Sequence, residues 1–547
     1  MATSFISDLD TPLLQLTSKD FFTLRQAVQG THVFGGIGSG KTSGAGFALS
    51  SAYLRAGMGG LILTAKPEEV ELWISYCKQH GREDSMILFD ETQGCNFLDY
   101  ELARKGGAEA ASSVTDTLMR ILEAADLAAG QQAGKAGEAF WTNTARQMMM
   151  YAISALYAAT GKVTANDIVR FITTWPTKAP ATEAEKAKLD ENFSVGILHQ
   201  MRTNPARKIP DDLKEQTIRY WRVEYLAFPE KTRGSILAHV TSALNRFNTG
   251  MLRKCFCDKT TIVPEMTMAG AIIIMALPVL THNAEGIIAQ QLFKFLWQRA
   301  VESRNGLAPQ FRDRAVFLYA DESQFFVNSY DDQFLSTCRG SKACVVFLSQ
   351  SLPTYYAMLG QDKIHAADGF LGKFNTHIFH LNPDPRTNQY ASSLIGRGIQ
   401  RRQSGNETKG SSTQQGKTYG SNESGTYTLG DSENQGSARG SSGGLLLADN
   451  FNSGSNNGVG SNRSLGSQRG RNSGYTSGGG TSESVTSGFT DTMENLVEPN
   501  FFSKELLTGG PENNCQVTAL LFRAGAKFKR PMQGVSDNVC LATFNQR

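Results

Sequence analysis

No stretch of this sequence is long and apolar enough to cross a bilayer. The longest strongly apolar run, Ala271 to Leu280, is about half of the roughly 20 residues a spanning helix needs, and it reads as a buried strand. A basic leader is also missing: Met1 to Leu16 carries Asp8 and Asp10, which does not fit a signal peptide. Net charge is scarce, since 54 Lys and Arg against 51 Asp and Glu leave +3. Such a balance neither requires nor excludes nucleic acid, and any polyanion-binding surface has to be local, such as a pore lining. Eight cysteines are scattered without a disulfide-like framework, as expected in a reducing cytoplasm. Cys255 and Cys257 form a lone CxC with no second ligand pair nearby, so they read as free thiols. His377 and His380 stand three apart on a strand candidate and would face opposite sides, which argues against a metal pair. No repeat of fixed period is present.

What is there is an alternation of apolar strands and helices. Thr31-His32-Val33-Phe34, Gly60 to Thr64 and Met86 to Phe89 are strand candidates, with helices over about 42–56 and 68–80 between them. Such alternation implies an α/β fold with a parallel sheet. Residues 105–260 are different. Val114, Leu118, Ile121 and Leu122 recur at helical spacing, as do Met148, Ile153 and Leu156, and Thr164 to Asp167 forms a helix start. The α/β character returns with strands at Ala271 to Met275, Ala315 to Ala320, Cys344 to Leu348 and Phe374 to Leu381, and a helix over about 284–304. Residues 401–490 contain Gly or Ser at 39 of 90 positions. That composition buries too little apolar surface to offset ordering entropy, so a long disordered segment is expected. A strand candidate at Val517 to Phe522 follows it. The division is therefore 1–104 and 261–400 for two parts of one α/β domain, 105–260 for an inserted all-α domain, 401–490 for the low-complexity segment, and 491–547 for a return to the first domain.

The chemistry starts at Gly35-Gly36-Ile37-Gly38-Ser39-Gly40-Lys41-Thr42, followed by Ser43. This is a full Walker A pattern between a strand and a helix. Its glycines let backbone N–H groups converge on phosphate oxygens, Lys41 reaches the terminal phosphates, and Thr42 offers a hydroxyl to Mg²⁺. The helix that follows adds its positive end. The ligands implied are ATP and Mg²⁺. An acidic partner is expected at a strand end, and Asp321-Glu322 closes the apolar run 315–320. Asp321 suits Mg²⁺, and Glu322 suits polarising the attacking water. Gln350 ends the next strand, at the edge where parallel strands bind ligands, and can sense a γ-phosphate. Arg339 falls at the other end of that strand, too far for its own site; it suits an arginine finger reaching a neighbouring subunit. Thr42 and Asp321 are 279 positions apart, more than a compact P-loop core, a small GTPase or a small kinase requires. The basic groups Arg397, Arg401 and Arg402, and Arg523, Lys527, Lys529 and Arg530, suit phosphate contacts or solvated surface equally.

Taken together, these features resemble the soluble part of the type IV coupling proteins, within the FtsK/HerA group of P-loop DNA pumps. The likeness covers about residues 25–400 and 491–530. It rests on the Walker A block, Leu63-Thr64-Ala65-Lys66-Pro67, Phe140-Trp141-Thr142-Asn143-Thr144-Ala145-Arg146, Asp321-Glu322 with Arg339 and Gln350, and Asn375 with Asn382-Pro383-Asp384-Pro385-Arg386-Thr387. The resemblance implies a RecA-like domain, a homo-hexamer, and ATP-driven delivery of DNA, single-stranded and relaxase-bound, to a type IV secretion channel. Two departures stand out. The P-loop begins at residue 35 without a preceding membrane anchor, which suggests a cytoplasmic protein recruited to the inner membrane face. Ala65 also stands where the family often has an acid before the lysine. A pump for segregation, repair or packaging shares the same motifs. So does a non-hydrolysing scaffold, against which Glu322 argues.

The composition of 403–485 generates the first prediction. Limited proteolysis of the purified chain cuts there first, and deletion of that stretch leaves the remaining chain folded. Protection of 403–485 in the free protein contradicts this.

Overall fold

In the computed structural model of the chain, residues 4–128, 138–178, 191–360, 364–412 and 480–546 are described, with short pieces at 182–183 and 188–189. A hairpin of β1 (Pro12–Gln15) and β2 (Phe21–Thr23) opens the chain. The strands of the main sheet are β3 (Thr31–Phe34), β4 (Gly59–Leu63), β5 (Met86–Phe89), β6 (Ile272–Met275), β7 (Val316–Ala320), β8 (Ala343–Ser349) and β9 (Thr376–Phe379). A two-stranded ribbon of β10 (Arg397–Ser412) and β11 (Gly480–Asn495) follows, and then β12 (Gln516–Arg523) and β13 (Val539–Asn545).

Nine strands form the main sheet in the order β13-β12-β9-β3-β8-β7-β4-β6-β5. The seven from β9 to β5 are parallel, and the hairpin β12–β13 adds to β9 in antiparallel fashion. One strand, β8, separates the strand leading to the Walker A loop from the strand ending in the acid pair, as in RecA-like sheets.

The strands are short apolar runs because both faces are covered. Successive residues feed opposite cores, as the period of two demands. On β7, Val316, Leu318 and Ala320 join one cluster, and Phe317 and Tyr319 join the other. The first cluster continues into the helices between β5 and β6, through Val114, Leu118, Met148, Ile153, Phe171 and Trp221. The second packs under the helices Phe47–Arg55 and Pro67–Gln79 and the hairpin β1–β2.

Between β5 and β6 every described element is helical, from Phe97–Arg104 to Gly250–Phe256, with a short 3₁₀ turn before β6. Thr164 caps Ala165–Thr174 in a capping box with Asp167, as the sequence signals. The Phe140–Arg146 motif lies in the opening turns of Glu138–Thr160.

Three sequence expectations change. The start and end of the Gly/Ser-rich stretch, 401–412 and 480–490, belong to paired strands; the remainder, 413–479, lies outside the described residues. Strand β13 carried no sequence signal, because its exposed positions alternate with Cys540, Ala542 and Phe544 in a run too short to stand out. Arg523 is not a surface cation. It is 4% exposed, with its guanidinium over the rings of Phe528 and Phe22. The side chains of Arg401 and Arg402 lie outside those described.

Gly60 tests the packing of this sheet. It sits mid-strand in β4, and a Cβ there would meet the Phe317 ring at 2.2 Å. Gly60→Ala is expected to cost about 1–3 kcal/mol through overpacking, read as a lower thermal midpoint. An unchanged midpoint contradicts the packing described.

Candidate functional site

The parallel strands end in near register. Phe34 pairs with Ser349 and with Phe379, Ala320 with Phe347, and Leu63 with Ala320. The residues that follow each strand therefore emerge on one rim. They are the glycine loop, Gln350, Asp321-Glu322, Thr64 to Lys66, and His380 to Asn382.

The loop is stitched to its neighbours through its backbone. Gly35 N–H donates to Ser349 O, and Gly36 N–H donates to Leu381 O. Its glycines are sterically required. A Cβ on Gly35 would come within 2.4 Å of Ser39 Oγ, one on Gly36 within 2.7 Å of Pro383, and one on Gly40 within 2.7 Å of Val517. Gly38 and Gly40 have φ of +71° and +78°. Thr42–Gly46 forms a single π-turn before the helix continues. Ser43 Oγ accepts from Gln546 Nε2 at 3.1 Å, so the C-terminal strand pair flanks the loop.

Lys41 and the two acids meet on this rim. Lys41 Nζ is 3.8 Å from Asp321 Oδ1 and 3.7 Å from Glu322 Oε1. Thr42 Oγ1 donates to Asp321 Oδ2 at 2.5 Å. Glu322 Oε1 also receives Gln350 Nε2 at 2.9 Å and Lys66 Nζ at 3.3 Å, and Glu322 Oε2 receives Gln324 Nε2 at 3.1 Å. Asp321 and Glu322 are 5% and 3% exposed. Burial alone would raise the Glu322 pKa. The Lys41 charge, the Gln350 and Gln324 hydrogen bonds and the Lys66 charge outweigh it, so the carboxyl lies below its ordinary value. Glu322 has φ of +46°, a strained conformation for a residue with a side chain.

Five residues in or around this set were given no chemical role by the sequence. Lys66 was visible only within a longer resemblance. Gln324 follows the acid pair without any spacing rule. Asn382 gives Nδ2–H to Gln350 O at 2.8 Å, and Asp384 caps the helix Pro385–Ile395. Glu69 is the fifth. Its carboxylate accepts Ala65 N–H at 2.7 Å and is 8% exposed.

Arg339 is exposed in the turn before β8, at the end of the strand away from Gln350. Between that turn and Gln350, β8 has seven residues and spans about 23 Å. That still leaves Arg339 remote from Lys41 within one chain.

His377 and His380 do not face each other as a pair. His377 stacks on Phe379 within the sheet. His380 is fully buried beneath the glycine loop, where a Cβ on Gly35 would lie 2.9 Å from its own Cβ. Cys255 and Cys257 are buried, and burial first of all raises both thiols to about 12.

The residues present fit a phosphate ligand with Mg²⁺. Ser39 Oγ is buried without a partner inside the loop. Lys41 and Thr42 converge on one carboxylate. Mg²⁺ keeps much of its shell as water and phosphate oxygen, so one hydroxyl and one carboxylate suffice as protein donors.

A glycine loop, its lysine and hydroxyl, and an acid pair on the carboxyl rim of a RecA-like sheet define a P-loop protein. Within that class, residues 13–426 match the family described as type IV secretory system conjugative DNA transfer, and the chain belongs to that family. Solved structures that resemble it include the bacterial conjugative coupling protein TrwBdeltaN70 in its unbound form, at 12% identity over 73% of this chain and 80% of that one, TM-score 0.49. The plasmid coupling protein TrwB in complex with ADP and Mg²⁺ matches at 12% identity over 72% and 80%, TM-score 0.46. VirB4 of Thermoanaerobacter pseudethanolicus matches at 11% identity over 72% and 90%, TM-score 0.41. No curated protein sequence matches at a significant level. Among the described residues, no helix is long and apolar enough to cross a membrane.

Glu69 provides a pH test. Burial, then the Asp321 charge, raises its pKa to about 7 from an ordinary 4.5. The folded state therefore holds this proton more tightly than the unfolded chain. The stability it contributes is present below about pH 4.5 and is lost as pH rises to about 7. Glu69→Gln keeps an acceptor for Ala65 N–H and cannot titrate. Its thermal midpoint relative to wild type is expected to climb between pH 4.5 and 7, by the equivalent of up to roughly 3 kcal/mol. A pH-independent difference contradicts this.

Proposed function

We propose that this chain is an ATP-hydrolysing motor that moves DNA toward a type IV secretion channel. The observation that carries the reading is the meeting of Lys41, Thr42, Asp321, Glu322 and Gln350 on one rim of the sheet. In this reading the glycine loop, with Ser39 and Ser43, and Lys41 bind the phosphates of ATP. Thr42 and Asp321 hold Mg²⁺, whose charge offsets that of the phosphates. Glu322, ionised and aimed by Gln350 and Gln324, takes the proton of the attacking water. Gln350 meets the γ-phosphate.

Family membership supports DNA as the transported polymer. Single-stranded DNA with a bound relaxase is the specific cargo we assign. The motor is cytoplasmic and is recruited to the inner membrane face by its channel.

Arg339 supports assembly. It is exposed and remote from its own Lys41, so an arginine finger at this position has to serve a neighbouring subunit. Such head-to-tail contacts repeat and close into a ring, and a homo-hexamer is the ring we assign.

The test is ATP turnover by the purified chain with and without single-stranded DNA, alongside a mass measurement of the assembly. Lys41→Ala is expected to abolish turnover. Glu322→Gln should still bind ATP and not hydrolyse it; normal turnover in this variant overturns its assignment. Arg339→Ala should bind ATP and hydrolyse it at least about a hundredfold more slowly. Mixing Arg339→Ala with Lys41→Ala should restore part of the activity, because each subunit supplies what its neighbour lacks. A mixture that forms mixed rings and stays inactive sinks the in-trans role.

A further inference from the structure

The loop that carries Glu322 is also fixed from beneath, by side chains that the proposed hydrolysis does not use. Tyr355 is fully buried in the helix Leu352–Leu359, five residues after Gln350. Its hydroxyl lies 2.6 Å from Ser323 Oγ and 2.7 Å from His32 Nε2. Ser323 directly follows Glu322, and its Oγ lies 2.9 Å from Leu348 O.

The protons in this chain have a single order. A carbonyl only accepts, so Ser323 donates to Leu348 O. Ser323 Oγ then accepts from the Tyr355 hydroxyl, and the Tyr355 oxygen accepts from His32 Nε2–H. That assigns the tautomer of His32 with a bare Nδ1, and Nδ1 is the buried ring nitrogen without a partner. Burial, then neighbouring His377, keeps the His32 pKa well below its ordinary value, so the ring stays neutral.

The chain ties together three elements of the rim. They are β3, which leads into the glycine loop, the loop after β7, and the helix after β8. A second path starts one residue away. Thr354 Oγ1 is 3.0 Å from Ser349 Oγ, Ser349 Oγ donates to Gln324 Oε1 at 3.0 Å, and Gln324 Nε2 reaches Glu322. Buried hydroxyls and an imidazole cost desolvation that an apolar core avoids. They repay it only when every link is made, which singles out one arrangement of the three elements.

We propose that Tyr355 is a positioning residue for hydrolysis. It holds Glu322 in register with the glycine loop and couples the position of Gln350 to that of the acid. This rests on the reading of Glu322 as the residue that activates water. When Gln350 moves on meeting a phosphate, the helix that starts two residues later moves with it. The Tyr355 hydroxyl passes that shift to Ser323, and so to Glu322.

Tyr355→Phe in the full chain removes both hydrogen bonds and keeps the ring. We expect kcat for ATP to fall at least about tenfold, as small misplacements of a reacting group do, with KM and nucleotide affinity within about threefold of wild type. Rates are compared well below the thermal midpoint of each protein. Ser323→Ala cuts the same chain with a smaller change and should show the same split; it carries the test if Tyr355→Phe does not fold. Because the links act as a unit, the double variant should lose no more than the worse single one. Wild-type kcat in a folded Tyr355→Phe or Ser323→Ala, whatever its midpoint, overturns the proposal, as does full addition of the two losses. If wild type hydrolyses ATP and Glu322→Gln does not, that failure belongs to Tyr355 alone. If wild type does not hydrolyse ATP, the reading of Glu322 falls and takes this inference with it.

Discussion

Two adjacent buried carboxylates beside one buried ammonium set the terms for the rest of this rim. Burying two adjacent carboxylates such as Asp321 and Glu322 requires positive charge and hydrogen-bond donors around them. Lys41 stands within 4 Å of both, Thr42 serves one, and Lys66, Gln350 and Gln324 serve the other. Lys41 and Thr42 enter from the loop after β3, Lys66 from that after β4 and Gln350 from the end of β8, so satisfying the acids fixes these loops against the loop after β7.

That requirement explains polar residues elsewhere in the core. The helix Val279–Glu302 turns one buried face toward two rim loops. Gln290 holds both N–H and O of Thr64 at 2.8 Å, just before Lys66. Gln291 reaches Phe325 O, Lys294 reaches Phe326 O and Asp331, and Gln298 reaches Asp331. Lys294 is fully buried. Its charge is tolerable because Asp331 accepts it while capping the next helix. The same helix packs against the helices between β5 and β6, so this face connects them to the acid loop.

The NPDPRT segment gains a physical meaning in the same way. Asn382 holds the carbonyl of Gln350, Asp384 caps a helix, and Thr387 accepts the N–H of Leu352. In the sequence this segment was a resemblance; in the fold it supports the backbone at Gln350 and the start of the helix that follows.

The sequence by itself determined the strands β3 to β9 and β12, because strands buried on both faces are short, nearly pure apolar runs. It determined the Walker A loop, because only glycines tolerate such close approaches and positive φ, and it marked Asp321-Glu322 as a strand-end acid pair. It did not signal β13, whose apolar residues alternate within a short run, or the burial of Arg523 between two aromatic rings. Tertiary structure alone decided that Gln324 and Lys66 reach Glu322 and that Glu69 lies buried near Asp321. It alone joined Tyr355 to His32 across 323 positions. These contacts are made between loops whose order in space follows the sheet, β9-β3-β8-β7-β4, and not the chain. Periodicity and motif report what one segment needs; which distant segment meets that need is set only when the strands take their places.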